Sequence, residues 1–131
     1  MRALVIDDSR AMRRIVGSIL TDLGFEVREA GDGRQALDAL EAGGREGWVP
    51  DLCCIDWNMP VMDGLQFVSA ARANPGYRQV TLMMVTTESE TGQIVKALAA
   101  GAHEYLIKPF TADAIRDKLA LLGVLPEEAV L

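Results

Sequence analysis

Cysteine, histidine and basic residues are all scarce in this chain of 131 residues, and each shortage excludes something. The two cysteines, Cys53 and Cys54, are adjacent in an apolar run. On a strand they point to opposite faces, and no spacer separates them as a metal or redox pair requires. They read as two small buried hydrophobes in a reducing cytoplasm. The one histidine, His103, has no second His or Cys partner for a metal and is expected to play a structural part. Thirteen Lys and Arg face nineteen Asp and Glu, for a net charge of −6. An acidic chain repels phosphate backbones, and no basic arm or helix-turn-helix segment is left over, so no nucleic-acid partner is expected. No apolar run approaches the length that spans a bilayer. Met1 leads straight into Arg2 and a strand-like run, so no signal peptide and no membrane partner are expected, and the protein is read as cytoplasmic.

Half of the residues are hydrophobic, enough for one domain with a sizeable core. Short apolar runs alternate with helical patterns along the whole chain. Ala3 to Ile6 reads as a strand. Met12, Ile15, Val16, Ile19, Leu20 and Leu23 then follow helical spacing up to Gly24. Phe25 to Glu29 is a weaker second strand, and Asp32 is a helix cap before Ala36, Leu37 and Leu40. Gly43 to Pro50 reads as a polar, glycine-rich loop. Leu52 to Ile55 is continuously apolar, as a doubly covered parallel strand is. A third helix starts near Asp63 and carries Leu65, Phe67 and Val68. Val80 to Val85 is a fourth strand, and Ile94, Val95 and Leu98 mark a helix closed by Gly101. Tyr105 to Ile107 is a fifth strand. Thr111 caps a last helix with Ile115, Leu119 and Leu122 on one stripe.

Five β-α repeats in one domain imply an α/β fold, a doubly wound (βα)5 parallel sheet of the flavodoxin-like kind, with strand order 2-1-3-4-5. A closed eight-stranded barrel needs far more chain. Residues 1–124 make the domain, and 125–131 read as a short tail after Pro126.

In an open parallel sheet, function gathers where strands end. Strand 1 ends at Asp7-Asp8, strand 3 at Asp56, strand 4 at Thr86-Thr87, and strand 5 is followed by Lys108-Pro109. Two like charges about 4 Å apart repel by roughly 4 kcal/mol at an effective dielectric near 20. Three converging carboxylates therefore imply a raised pKa or a bound cation. A hard divalent ion suits oxygen ligands alone. With Lys108 as a second positive charge, the set suits an incoming phosphoryl group, which a carboxylate attacks in line. The Thr86 hydroxyl can donate to a phosphoryl oxygen. Each residue alone is an ordinary turn or cap residue; their joint occurrence at matched strand ends carries the reading.

These stretches resemble the receiver domains of two-component response regulators. The resemblance rests on Val5-Ile6-Asp7-Asp8, Met12-Arg13-Arg14-Ile15-Val16, Asp56-Trp57-Asn58-Met59-Pro60, Met62-Asp63-Gly64, Met84-Val85-Thr86 and Lys108-Pro109-Phe110, and covers about residues 1–122. The Asp56 to Pro60 stretch and the Met12 to Val16 helix favour the chemotaxis branch. The resemblance implies that Asp56 is the phosphoacceptor. It implies Mg²⁺ held by Asp8 and Asp56, by the Asn58 backbone carbonyl, and by Asp7 mainly through water. Lys108 would contact the phosphoryl group across a cis Lys108–Pro109 peptide. Thr86 and Tyr105 would form a switch pair, with Asn58 and Glu88 tuning dephosphorylation. The output face would run over the fourth helix, fifth strand and fifth helix, with Ile94, Tyr105 and Lys118 on it. The alternative for Tyr105 is plain strand packing.

The sequence departs from the family's pattern in a longer Gly43 to Pro50 segment and in Thr87, where a smaller residue is common. The resemblance implies a monomer that takes phosphate from a histidine kinase or a histidine phosphotransfer protein and binds a flagellar motor switch protein. It implies no turnover enzyme, only self-catalysed transfer and loss of phosphate at Asp56. A stand-alone receiver in another phosphorelay, or a phosphate sink, is the alternative, and the output surface decides between the two. A Mg²⁺-dependent aspartyl-phosphate phosphatase would want an acid two residues after the nucleophile, where Asn58 stands. A flavin carrier would want a phosphate-cradling loop after strand 1, where Asp7-Asp8 repels phosphate.

Overall fold

Five strands and five helices alternate along the chain in this computed structural model, which describes residues 1–126. The strands are β1 Arg2–Ile6, β2 Glu26–Ala30, β3 Leu52–Ile55, β4 Thr81–Thr86 and β5 Glu104–Ile107. The helices are α1 Arg10–Asp22, α2 Gly33–Glu46, α3 Gly64–Ala73, α4 Thr91–Ala100 and α5 Ala112–Leu122. All strand pairs are parallel, in the order β2-β1-β3-β4-β5. The expected fold class and strand order both hold. The register sets Ile6 opposite Ile55, and Ile55 opposite Met84, so β1, β3 and β4 end side by side.

Two apolar layers cover the sheet. On one face, Leu4, Ile6, Cys53, Ile55, Leu82 and Met84 meet Leu40, Phe67, Val68 and Ala97 from α2, α3 and α4. On the other, Val5, Cys54, Met83 and Val85 meet Val16, Leu20, Ile115 and Leu119 from α1 and α5. The adjacent cysteines do point to opposite faces, both buried and free. Burial pushes both thiols up, Cys54 to about 12, so neither is a ready thiolate.

Side-chain caps start four helices. Ser9, Asp32, Asp63 and Thr111 accept from the backbone N–H three residues on, and Gln66 completes a capping box with Asp63. Glu90 makes no such bond for α4.

The expected loop from Gly43 to Pro50 is corrected by the structure. α2 continues through Gly43 and Gly44 to Glu46 and ends where Gly47 takes a left-handed conformation. Gly43 serves packing rather than a turn: a Cβ there would overlap the Trp48 carbonyl oxygen, and the Gly43 carbonyl accepts from the Trp48 N–H at 2.7 Å. Trp48 is buried, its indole N–H donates to Glu26 Oε1 at 2.9 Å, and the Arg28 guanidinium lies 4.4 Å from its ring. That cluster occupies the end of the sheet away from Asp56.

Strand limits shift slightly. β2 begins at Glu26 rather than Phe25, β4 runs Thr81–Thr86 rather than from Val80 to Val85, and Glu104 opens β5. Of the expected tail, Leu125 packs on the α1–α5 layer and Pro126 is buried; residues 127–131 lie outside the described residues. No described helix is long and apolar enough to cross a membrane.

Candidate functional site

Asp7 and Asp8 follow β1 directly, and Asp56 follows β3. One carboxylate oxygen from each lies within 4.8 Å of the other two. Asp7 and Asp56 are buried and Asp8 is exposed, so the cluster opens to solvent on the Asp8 side. The set is all oxygen and strongly anionic, which fits a hard divalent ion such as Mg²⁺ with waters completing its shell.

Lys108, one residue past β5, reaches into the cluster. Its Nζ donates to Asp7 Oδ2 at 2.8 Å and lies 3.8 Å from Asp56 Oδ2. The Lys108–Pro109 peptide is cis, as expected. Lys108 N–H donates to the Thr86 carbonyl at 2.8 Å, which fixes the lysine's origin on the end of β4.

Burial raises the Asp56 carboxyl above its ordinary range, and the Asp7 charge adds to the rise. The Thr86 hydroxyl, Lys108 and the Trp57 N–H act in the opposite direction. Trp57 N–H donates to Asp56 Oδ1 at 2.8 Å. Gly64 lies directly against this backbone: its N–H donates to the Trp57 carbonyl at 2.8 Å, and a Cβ on it would overlap the Asp56 carbonyl oxygen. The tight approach explains why Met62-Asp63-Gly64 must end in glycine.

Thr86 ends β4 fully buried, and its Oγ1 accepts from the Trp57 and Glu88 N–H groups, each at 3.3 Å. Tyr105 is only 7% exposed and packs in the α2–α3–α4 layer. Its hydroxyl donates to the Glu88 carbonyl at 2.7 Å, so Glu88 bonds Thr86 through its N–H and Tyr105 through its carbonyl. Burial, with Glu88 and Asp56 nearby, pushes the Tyr105 hydroxyl up to about 12.

The chain matches the response regulator receiver domain over residues 3–120. It belongs to that family. It is 40% identical over 120 residues to the chemotaxis protein CheY of Pseudomonas aeruginosa, covering 91% of this chain and 93% of that one. It is 38% identical over 123 residues to CheY1 of Helicobacter pylori, covering 93% and 96%. Among solved structures, the chemotaxis response regulator CheY4 of Vibrio cholerae superposes with a TM-score of 0.80 at 35% identity, over 92% of this chain and 97% of that one. The receiver reading and the likeness to its chemotaxis branch therefore both stand.

The remaining expected site residues fall in different places. Asn58 is exposed in the loop after Asp56, and Thr87 is exposed after β4. Ile94 is half-buried against the core, and Lys118 pairs with Glu104 at 3.2 Å. On α4, β5 and α5 the exposed large apolar groups are Val95 (58%), Leu98 (43%), Ile107 (41%) and Leu121 (80%). Val95 and Leu98 fit a core stripe as well as a surface one, so spacing alone does not separate them. His103 Nδ1 accepts from the Leu82 N–H at 3.0 Å, a structural role.

Sequence reasoning missed two supports of the site. Arg13 Nη1 donates to the Asp7 carbonyl at 2.6 Å, and its Nε pairs with Glu29 at 3.0 Å. The Met62 carbonyl accepts from Gly33 N–H at 3.0 Å, tying the loop after Asp56 to the start of α2. Arg13 lies in the Met12 to Val16 stretch, so its position was visible but its reach was not.

Proposed function

We propose that this chain is a cytoplasmic phospho-switch of chemotaxis, in which Asp56 takes a phosphoryl group from a histidine kinase or a histidine phosphotransfer protein. The observation that carries this is Lys108 seated between Asp7 and Asp56, with Asp8 open to solvent beside them. The names of the relatives above support the chemotaxis branch.

Asp7, Asp8 and Asp56, with the Asn58 backbone carbonyl, would hold Mg²⁺. When bound, the ion supplies positive charge for the phosphoryl oxygens. Asp56 attacks phosphorus through one carboxylate oxygen. The P–N bond to the donor imidazole breaks, and the imidazole leaves with that electron pair and takes up a proton. Lys108 moves its contact from Asp7 towards the new phosphoryl oxygens. The Thr86 hydroxyl donates to one of them.

A phosphorylated side chain carries about −1.5 to −2 charges at pH 7. That charge acts on a bonded set that already links Thr86, Glu88 and Tyr105. The Tyr105 ring and the α4–β5–α5 face, with Ile94 and Lys118, form the output surface towards a flagellar motor switch protein. Asn58 and Glu88 set how fast water removes the phosphoryl group. Residues 1–124 are the receiver domain and 125–131 its tail, and the chain acts as a monomer.

Incubation with acetyl phosphate and Mg²⁺ tests this reading. The expected product is a hydroxylamine-labile adduct on Asp56, absent in Asp56→Asn and absent with chelator. An adduct that survives Asp56→Asn overturns it.

A further inference from the structure

Every polar atom of Asp7 is engaged. Its N–H donates to the Ala30 carbonyl at 3.1 Å, and its carbonyl accepts from Arg13 Nη1 at 2.6 Å. Its Oδ1 accepts from the Ser9 N–H at 2.8 Å, and its Oδ2 from Lys108 Nζ at 2.8 Å. Asp8, by contrast, is exposed. Asp7 is thus the fixed member of the acidic set and Asp8 the open one.

Three of these four bonds come from the sheet, the turn and the lysine. The fourth has a less obvious source. Asp7 lies one residue past β1, where the strand has ended. A buried carbonyl left without a partner is costly. Arg13, in the first turn of α1, supplies the donor. Its side chain is only 18% exposed, and its Nε pairs with Glu29 Oε1 at 3.0 Å. The planar guanidinium is therefore held at two points, which fixes its direction. Glu29 and Ala30 are neighbours at the end of β2. One strand end therefore holds Asp7 twice, directly through Ala30 and through Arg13 by way of Glu29.

We propose that Arg13 is a positioning residue of the Asp56 site: by fixing the Asp7 carbonyl it sets where the Asp7 carboxylate meets Lys108 and an incoming Mg²⁺, without touching the ion. This rests on the reading of Asp7, Asp8 and Asp56 as a Mg²⁺ site, and adds to that site a residue that is not a ligand.

Charge and position predict opposite signs at Arg13. A guanidinium beside a cation site repels the ion, so loss of its charge alone tightens Mg²⁺ binding. Loss of the support for Asp7 weakens binding instead, as removal of a group that orients metal ligands does.

The test is Arg13→Met, which keeps an unbranched stem and removes both the charge and the fork. Mg²⁺ is titrated into the folded variant and followed by Trp57 fluorescence and by the Asp8 amide chemical shift. The half-saturating Mg²⁺ concentration is expected to rise about ten-fold. Labelling by acetyl phosphate is expected to fall in step at low Mg²⁺ and to return to within about two-fold of the wild type at saturating Mg²⁺, because the lost interaction acts on binding of the ion. An arginine with a merely structural role lowers the melting temperature and leaves the Mg²⁺ midpoint in place. Arg13→Lys is the second variant. It keeps the charge, but a compact ammonium cannot span the Asp7 carbonyl and Glu29 together. Weaker Mg²⁺ binding is expected there too, whereas charge alone predicts no change. A midpoint unchanged or lowered in Arg13→Met, or in Arg13→Lys should the first variant not fold, overturns the positioning role and leaves the Mg²⁺ site standing. A wild type in which neither signal responds to millimolar Mg²⁺ overturns both.

Discussion

The Lys108 ammonium holds Asp7 at 2.8 Å and stands a full ångström further from Asp56, at 3.8 Å. The lysine therefore neutralises the carboxylate that is not the proposed acceptor and leaves Asp56 freer to react. All three side chains are largely buried. Removing one partner of such a set leaves charge uncompensated, which costs about 3 kcal/mol and lowers the unfolding temperature by roughly 10 °C. Lys108→Met is expected to show this loss by thermal unfolding without metal. Millimolar Mg²⁺ is then expected to raise the melting temperature of the variant more than that of the wild type, because the ion takes over part of the neutralisation. An equal rise in both would place the ion away from Lys108.

Asp56→Asn is expected to stabilise the metal-free protein at neutral pH. Burial, reinforced by Asp7, raises the folded pKa of Asp56 above its unfolded value. For an acid so shifted, ionisation costs stability above the folded pKa, and the cost vanishes below the unfolded one. The gain from the variant is therefore present at pH 7 and fades as the pH falls towards the ordinary carboxylate range. Thermal unfolding of both proteins between pH 4 and pH 8, a range of about four units around the relevant pKa values, checks the sign. A gain that grows on acidification would contradict burial as the cause.

Tyr105→Phe removes the hydroxyl that donates to the Glu88 carbonyl at 2.7 Å. A lost hydrogen bond of this kind costs about 1 kcal/mol. Acetyl phosphate is expected to label the variant as fast as the wild type, because the hydroxyl does not touch the acceptor. Tyr105→Ala goes further and empties a buried ring's place. It is expected to spare labelling and to weaken capture of the output partner by the beryllofluoride-loaded protein. Unchanged capture would remove Tyr105 from the switch.

The sheet order and the meeting of Asp7, Asp8, Asp56, Thr86 and Lys108 were legible because both depend on residue type at strand ends. Alternation of apolar runs with 3.6-residue periods fixes a parallel sheet, and a parallel sheet brings every strand's C-terminal end to one edge. Features that depend on backbone conformation or long reach were not legible. The glycines at 43 and 44 look like a loop in sequence, and only the seating of Trp48 against Gly43 shows why a helix needs glycine there. Val61 carries no sign of its positive φ, because valine is the wrong residue for it. Arg13 spans from α1 to the Asp7 carbonyl by virtue of side-chain length, which periodicity does not encode.

Gly64→Ala separates a packing role from a chemical one at the acceptor. Gly64 opens α3, where alanine is the better helix former, so propensity alone predicts a gain. The contact geometry predicts the reverse. An added Cβ would overlap the Asp56 carbonyl oxygen and press on Trp57 Cα at 2.9 Å, and both neighbours are backbone. Neither can swing away as a side chain would, so the strand end carrying Asp56 must shift. Overpacking of this kind costs about 1–3 kcal/mol. The shift moves the acceptor relative to Asp8 and Lys108, so labelling by acetyl phosphate is expected to fall at least about ten-fold, since in-line attack tolerates little displacement. Thermal unfolding and labelling rate, measured on the same preparation, decide the matter. A variant that is destabilised but labels normally would show that Asp56 is held by β3 alone and owes nothing to the start of α3.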